Sequence, residues 1–205
     1  MTDFTIHTID TAPERARAGL GAAQQKLGFI PNMMAVLAES PVALEGYQAV
    51  QGALATSSLS TAEQHFLALA ISVDNGCTYC VPAYSMMAAK SGTPQQAVDA
   101  VRDGQPIDDG RLSALRDFTR AVVEKRGRVA EEEVKAFLAA GFTKAQVLEV
   151  ILAVAFKLIS PREIVAVFHS GPLSSSPAFF LATNAVMLPT MRTSKTIQIQ
   201  RLRCG

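Results

Sequence analysis

The chain has 205 residues, 49% hydrophobic and 18% charged, with 19 Lys and Arg set against 18 Asp and Glu for a formal net charge of +1. That is enough apolar material for a sizeable core in one domain, and the interspersed charge offers no electrostatic basis for nucleic acid or an anionic membrane as partner. A small uncharged or weakly charged substrate fits better.

In chain order the sequence reads as a series of helices. Pro13-Glu14 opens an Ala-rich helix that Gly28 can end, and Phe29-Ile30-Pro31-Asn32 follows as a hydrophobic connector. Ser40 caps a helix that begins at Pro41 and runs to about Ala55. Ser60-Thr61-Ala62-Glu63 has the spacing of a capping box, which predicts a helix from Thr61 to about Asp74 and commits the Glu63 carboxylate to backbone amides. Asn75-Gly76 then breaks the periodicity, which resumes from Cys77 to Lys90 and stops at Ser91-Gly92. Thr93-Pro94-Gln95-Gln96 is a second capping-box spacing before a short helix to about Arg102. Beyond a polar loop from Gly104 to Gly110, helices are expected at about Arg111 to Lys125, Ala130 to Ala140 and Lys144 to Ile159. In the last, Gln146, Glu149, Ala153 and Lys157 form a narrow stripe on an otherwise apolar surface, so the helix is expected to be buried nearly all round, in the core or a subunit interface.

No period-two alternation runs through residues 1–160, so an all-α fold is expected there, with residues 161–205 as a peripheral or poorly ordered tail. The start, Met1-Thr2-Asp3-Phe4-Thr5, lacks the basic and apolar regions of an export signal, and the longest apolar stretch, Val147 to Ile159, is shorter than the roughly 20 residues that cross a bilayer. A soluble chain in the reducing cytoplasm is the expectation, and there a close cysteine pair is more often catalytic or metal-binding than structural.

Cys77 and Cys80 are such a pair, in Asn75-Gly76-Cys77-Thr78-Tyr79-Cys80. The thiolate is the reactive form of cysteine, and the free amides of a helix start favour it. A spacing of three brings both sulfurs to one face, where the partner can resolve an oxidised sulfur as an intramolecular disulfide. The plainer alternative is two buried thiols acting as small apolar residues. A zinc site would need ligands beyond one CxxC, and neither a second CxxC nor a spaced His pair is present. Tyr84 lies one helical turn after Cys80; it is placed either to donate a hydrogen bond to a thiolate or peroxide oxygen, or simply to pack with its hydroxyl at a polar edge. His65, twelve residues before Cys77, is either a base for the thiol or an ordinary helix histidine. His7 and His169 lie in less regular segments, and Cys204 reads as an incidental terminal thiol.

At these residues the chain resembles the AhpD-like alkylhydroperoxidases of the carboxymuconolactone decarboxylase superfamily. The likeness rests on Glu63 through Ser85, above all Asn75-Gly76-Cys77-Thr78-Tyr79-Cys80-Val81-Pro82-Ala83, and extends to Gly28-Phe29-Ile30-Pro31-Asn32 and Lys144-Ala145-Gln146-Val147-Leu148-Glu149-Val150. The resemblance implies an all-α AhpD-like fold over residues 1–160 with its motif core at about 41–125, assembly into trimers or larger homo-oligomers, and thiol-dependent reduction of alkyl hydroperoxides. It further implies Cys80 as the peroxidatic residue, Cys77 as the resolving one, a small-thiol or protein reductant, and no metal, haem or flavin. Two positions depart from the family's proton relay: His65 stands where the family has Glu, and Tyr84 where it has His. The segment after Ser160 also lacks the Asn, Thr and His pattern expected there. A lyase of the superfamily's decarboxylase branch, which needs no dithiol, and a non-enzymatic redox sensor with an altered relay are the alternative readings.

Overall fold

The computed structural model describes residues 4–78 and 80–159, and the segment read from sequence as a tail lies outside them. Every regular element among the described residues is helical. Helix α1 (Glu14–Leu27) closes at Gly28, whose φ of 80° is the left-handed conformation that glycine adopts without a Cβ penalty. The connector expected at Phe29-Ile30-Pro31-Asn32 instead leads directly into a short helix, α2 (Asn32–Leu37). Six residues are too few to be helical by propensity, so α2 exists because Met34 and Leu37 bury against Leu20, Leu44 and Tyr47.

Helix α3 (Pro41–Ala55) begins as its sequence predicts, with Pro41 in the first turn and the Ser40 hydroxyl accepting the Ala43 amide at 3.4 Å. Helix α4 (Thr61–Asp74) carries the full capping box: Glu63 Oε2 accepts the Ser60 amide at 2.8 Å, and Ser60 Oγ accepts the Glu63 amide at 3.2 Å. Helices α5 (Cys80–Lys90) and α6 (Gln95–Asp103) follow. The second capping box does not form. Pro94 takes the cap position of α6, while buried Thr93 turns its hydroxyl to the Ala62 carbonyl at 3.4 Å, tying the α5–α6 turn to the start of α4.

Helix α7 (Gly110–Glu124) is capped by Asp109, which accepts the Arg111 and Leu112 amides at 2.9 Å each. Helices α8 (Glu131–Ala139) and α9 (Lys144–Leu158) complete the described residues, and α9 opens with a capping box between Thr143 and Gln146. Among these helices no single one is long and apolar enough to cross a membrane.

Helix α4 is the axis of the core, in contact with α5, α6, α7 and α9. Its Phe66, Leu67, Leu69 and Ile71 are buried with Val98, Leu115, Phe137 and Val150, and Phe137 stacks between Phe118 and Phe142 at centroid distances of 4.4 and 4.0 Å. A second cluster joins α1, α2 and α3 to Phe156 of α9, whose ring meets Tyr47 at 4.7 Å. Helix α9 therefore links the two clusters.

Within the chain α9 is not buried all round: Leu148, Leu152 and Leu158 are exposed, which leaves the subunit interface as the expected alternative for that face, while the polar stripe faces protein. Glu149 accepts the Ser58 amide and hydroxyl at 2.9 and 2.8 Å, Gln146 donates to the Ser58 carbonyl at 3.2 Å, and Lys157 is only 6% exposed. Paired polar groups can be buried in place of leucines when a neighbouring turn offers them partners.

Glu63 also anchors the interior. Its Oε1 accepts from Arg111 Nε at 2.7 Å, while Arg111 lies 3.8 Å over the Phe142 ring and donates to the Gly141 carbonyl at 2.9 Å. Burial works to raise the carboxyl pKa, but the Ser60 amide and hydroxyl and the Arg111 guanidinium outweigh it and hold the group below its usual range. A carboxyl with a lower pKa folded than unfolded contributes stability above its unfolded value and loses it as pH falls through the folded one. Glu63→Gln is therefore expected to lower stability near pH 7 by about 2 kcal/mol. In thermal melts its deficit should shrink as pH falls below the usual carboxyl range and through the lowered pKa of the folded wild-type group.

A candidate active site at the dithiol

One reversal of the chain builds the site. Helix α4 ends with Gly76 at φ 62°, the Gly76 amide donating to the Val73 carbonyl and the Cys77 amide to the Ser72 carbonyl, both at 2.9 Å. This is the paired hydrogen-bond pattern of a glycine-terminated helix, and it fixes Cys77 as the residue just beyond the stop. Cys77 then starts α5. Its carbonyl accepts the Cys80 and Val81 amides at 3.1 and 3.0 Å, and its sulfur accepts the Cys80 amide at 3.2 Å, as a capping side chain does.

Cys77 and Cys80 are joined as a disulfide with their Cα atoms 5.3 Å apart, and both are buried. They pack with Val36 of α2 and against Met33 and Tyr84. Of the two other site residues expected from sequence, Tyr84 therefore meets the pair and His65 does not. The His65 Nδ1 lies 3.0 Å from the Ser91 hydroxyl, just past the far end of α5. Ser91 is about 16 Å from Cys80 at the rise of a helix. The antiparallel return of α5 along α4 carries the imidazole away from the sulfurs, which corrects the expectation of a base acting directly on the thiol. Burial keeps the His65 pKa below its usual value, offset in part by a backbone contact at Met87, so the ring is predominantly neutral at pH 7.

Lys157 is the site residue that sequence reasoning missed. Its ammonium lies 4.5 Å from the centroid of the Tyr84 ring, over the face, and burial pushes its pKa down to about 8. The visible signal was a single cation in the apolar run Val147 to Ile159, read there as part of a polar stripe. His65, Tyr84 and Lys157 all line one cavity of about 570 Å³. His7 sits elsewhere, with Nε2 2.8 Å from Glu39. His169 and Cys204 lie outside the described residues. Among the described residues no cluster of three or more His, Cys, Asp or Glu side chains could hold a metal ion.

Residues 41–122, from α3 through the dithiol into α7, match the carboxymuconolactone decarboxylase family. Over those residues, two-fifths of the chain, the sequence is similar to that family. Its fold is similar to that of an AhpD-core, peroxidase-related protein from Ralstonia eutropha, at 24% identity over 88% of this chain and 95% of that one, with a TM-score of 0.72. A peroxidase-related protein from Silicibacter sp. is similar at 20% identity over 81% of this chain and 88% of that one, TM-score 0.66. The debrominase Bmp8 in complex with 2,3,4-tribromopyrrole is similar at 18% identity over 88% and 96% of the two chains, TM-score 0.66. No curated protein matches the sequence. One of these similar structures is peroxidase-related and another is a debrominase, so the shared fold does not specify a reaction.

The amide held by the Cys77 sulfur gives the pair an electrostatic order. In the reduced protein the same amide is placed to donate to a Cys77 sulfur, an arrangement that favours the thiolate form at a helix start. In iodoacetamide alkylation followed against pH, Cys80→Ser should therefore leave a thiol that titrates below the one left by Cys77→Ser.

Proposed function

We propose that this protein is a thiol-dependent peroxidase that reduces alkyl hydroperoxides through Cys80 and Cys77. The observation carrying the reading is that the two sulfurs reach disulfide geometry at a helix start with Tyr84 packed against them. With His65 held at Ser91, the base for Cys80 is its partner: a Cys77 thiolate takes the Cys80 proton as the peroxide arrives. Cys80 sulfur then attacks the distal peroxide oxygen. The S–O bond forms, the O–O bond breaks, and the departing alkoxide takes a proton from solvent, leaving a sulfenic acid. The Tyr84 hydroxyl donates a hydrogen bond to the peroxide oxygen. Cys77 sulfur next attacks the Cys80 sulfur, and its proton leaves with the hydroxide as water.

The reductant is a thiol or a protein dithiol, whose thiolate attacks Cys80 and releases Cys77 as the amide-stabilised leaving group. Self-association through the exposed Leu148, Leu152 and Leu158 face of α9 fits the same reading. A redox-sensing role, with disulfide formation but little turnover, is favoured by one feature: His65, the imidazole that the sequence offered as a base, is held at Ser91 and not at the sulfurs.

With cumene hydroperoxide the reduced protein should consume one peroxide for each two thiols lost. Cys80→Ser should slow that consumption by about two orders of magnitude or more, in line with loss of a nucleophile. Cys77→Ser should stop at a dimedone-trappable sulfenic acid, and Tyr84→Phe should react about tenfold more slowly with its dithiol intact. Peroxide consumption by Cys80→Ser at the wild-type rate would sink the assignment. A disulfide that thioredoxin, glutathione and dihydrolipoamide all fail to reduce would favour the sensor.

A further inference from the structure

The cavity beside the dithiol has a chemical character of its own. It lies between α1 and α3 on one side and α4, α5 and α9 on the other. Its volume of about 570 Å³ falls in the range of small-molecule sites. Leu27, Met34, Leu54, Leu67 and Phe156 make it largely apolar, and its charged lining residues are Lys26 and Lys157, with no Asp or Glu among the described residues that line it. Tyr84 belongs both to this wall and to the cluster around Cys77 and Cys80, so a molecule in the cavity is one side chain away from the sulfurs.

We propose that this cavity binds an apolar organic acid, with the Lys157 ammonium holding its carboxylate beside the Tyr84 ring and the tail lying along the apolar wall. Three observations select that ligand. The Lys157 nitrogen lies over the Tyr84 face at 4.5 Å, and Tyr84 also packs against the dithiol cluster. The lining carries positive charge without a lining carboxylate to repel an anion. The remaining wall offers an alkyl chain burial of its apolar surface away from water. A pKa of about 8 leaves Lys157 mostly protonated at neutral pH despite its burial, and a bound carboxylate stabilises that charged form. A neutral alcohol of equal length gains only the apolar part, and an alkylammonium meets like charge at Lys157 and Lys26.

The inference stands apart from the peroxidase reading, because binding needs no thiol. Isothermal titration at pH 7 with decanoate, decanol and decyltrimethylammonium tests it on the full chain and on the Cys77→Ala/Cys80→Ala variant. Decanoate should bind both proteins with one-to-one stoichiometry, at least tenfold tighter than decanol, and decyltrimethylammonium more weakly than either. Lys157→Met, close to lysine in volume, should bind decanoate no tighter than decanol.

Gly52→Phe supplies a test that leaves Lys157 in place. Gly52 lines the cavity from α3, and a Cβ added there meets no other atom within 4 Å, so the ring can fill the space and should weaken decanoate at least tenfold. Equal affinity for decanoate and decanol, an unaltered decanoate preference in Lys157→Met, or no binding of decanoate would each overturn the proposal. Loss of peroxide consumption with decanoate binding intact would instead count against the peroxidase reading alone.

Discussion

The helix reversal at Gly76 and Cys77 is the constraint on which the rest of the site depends. Glycine accepts the left-handed conformation that ends α4, and this places the next residue where its carbonyl and sulfur can begin α5. Cys77 thus finishes one helix's hydrogen bonding and starts another's. The two helices must then run antiparallel, which turns Cys80 and Tyr84 inward against Val36 and sends the end of α5 back to His65. The stability of this arrangement comes from α4 itself, whose Phe66, Leu67, Leu69 and Ile71 are buried on several sides. A reactive sulfur needs a fixed amide beside it, and an amide is fixed only when the helix that carries it is packed.

The second feature is charge placed where apolar side chains would be the default. Glu63 is held by Ser60 and Arg111, and Glu149 by Ser58, so these carboxylates exchange water for directed hydrogen bonds. Their role is architectural: they join the starts of α4 and α7, and α9 to the turn before α4. Lys157 differs because it lines a cavity and its nitrogen lies over an aromatic face that also borders the dithiol. Keeping an ammonium ion partly desolvated opposes folding, and burial has moved its pKa accordingly. Such a group beside a cavity and a reactive pair is a marker of function more than of stability.

Similar structures at 18 to 24% identity share the helical frame, and a frame of this kind does not specify one reaction. What this chain sets beside its sulfurs is Val36, Met33 and the phenol of Tyr84, with Lys157 of α9 over that ring and the His65 imidazole held away at Ser91. The two sulfurs sit together at a helix start, joined as a disulfide.

The sequence by itself determined the all-α class, the ends of most helices and the dithiol at a helix start. These are local properties: Ser40, Ser60 and Thr143 satisfy amides within three residues, Gly28 and Gly76 supply φ values that few other residues adopt, and a spacing of three sets where Cys77 and Cys80 can meet. Only the tertiary structure decided that Phe29–Asn32 leads into α2, that Thr93 binds the Ala62 carbonyl instead of capping α6, and that the polar stripe of α9 faces inward. It alone separated Tyr84 from His65 in their relation to the sulfurs and brought Lys157 over Tyr84 from 73 residues away. Each of those outcomes turns on a partner distant in sequence, and a helical period records which side of a helix is apolar but not what will stand opposite it.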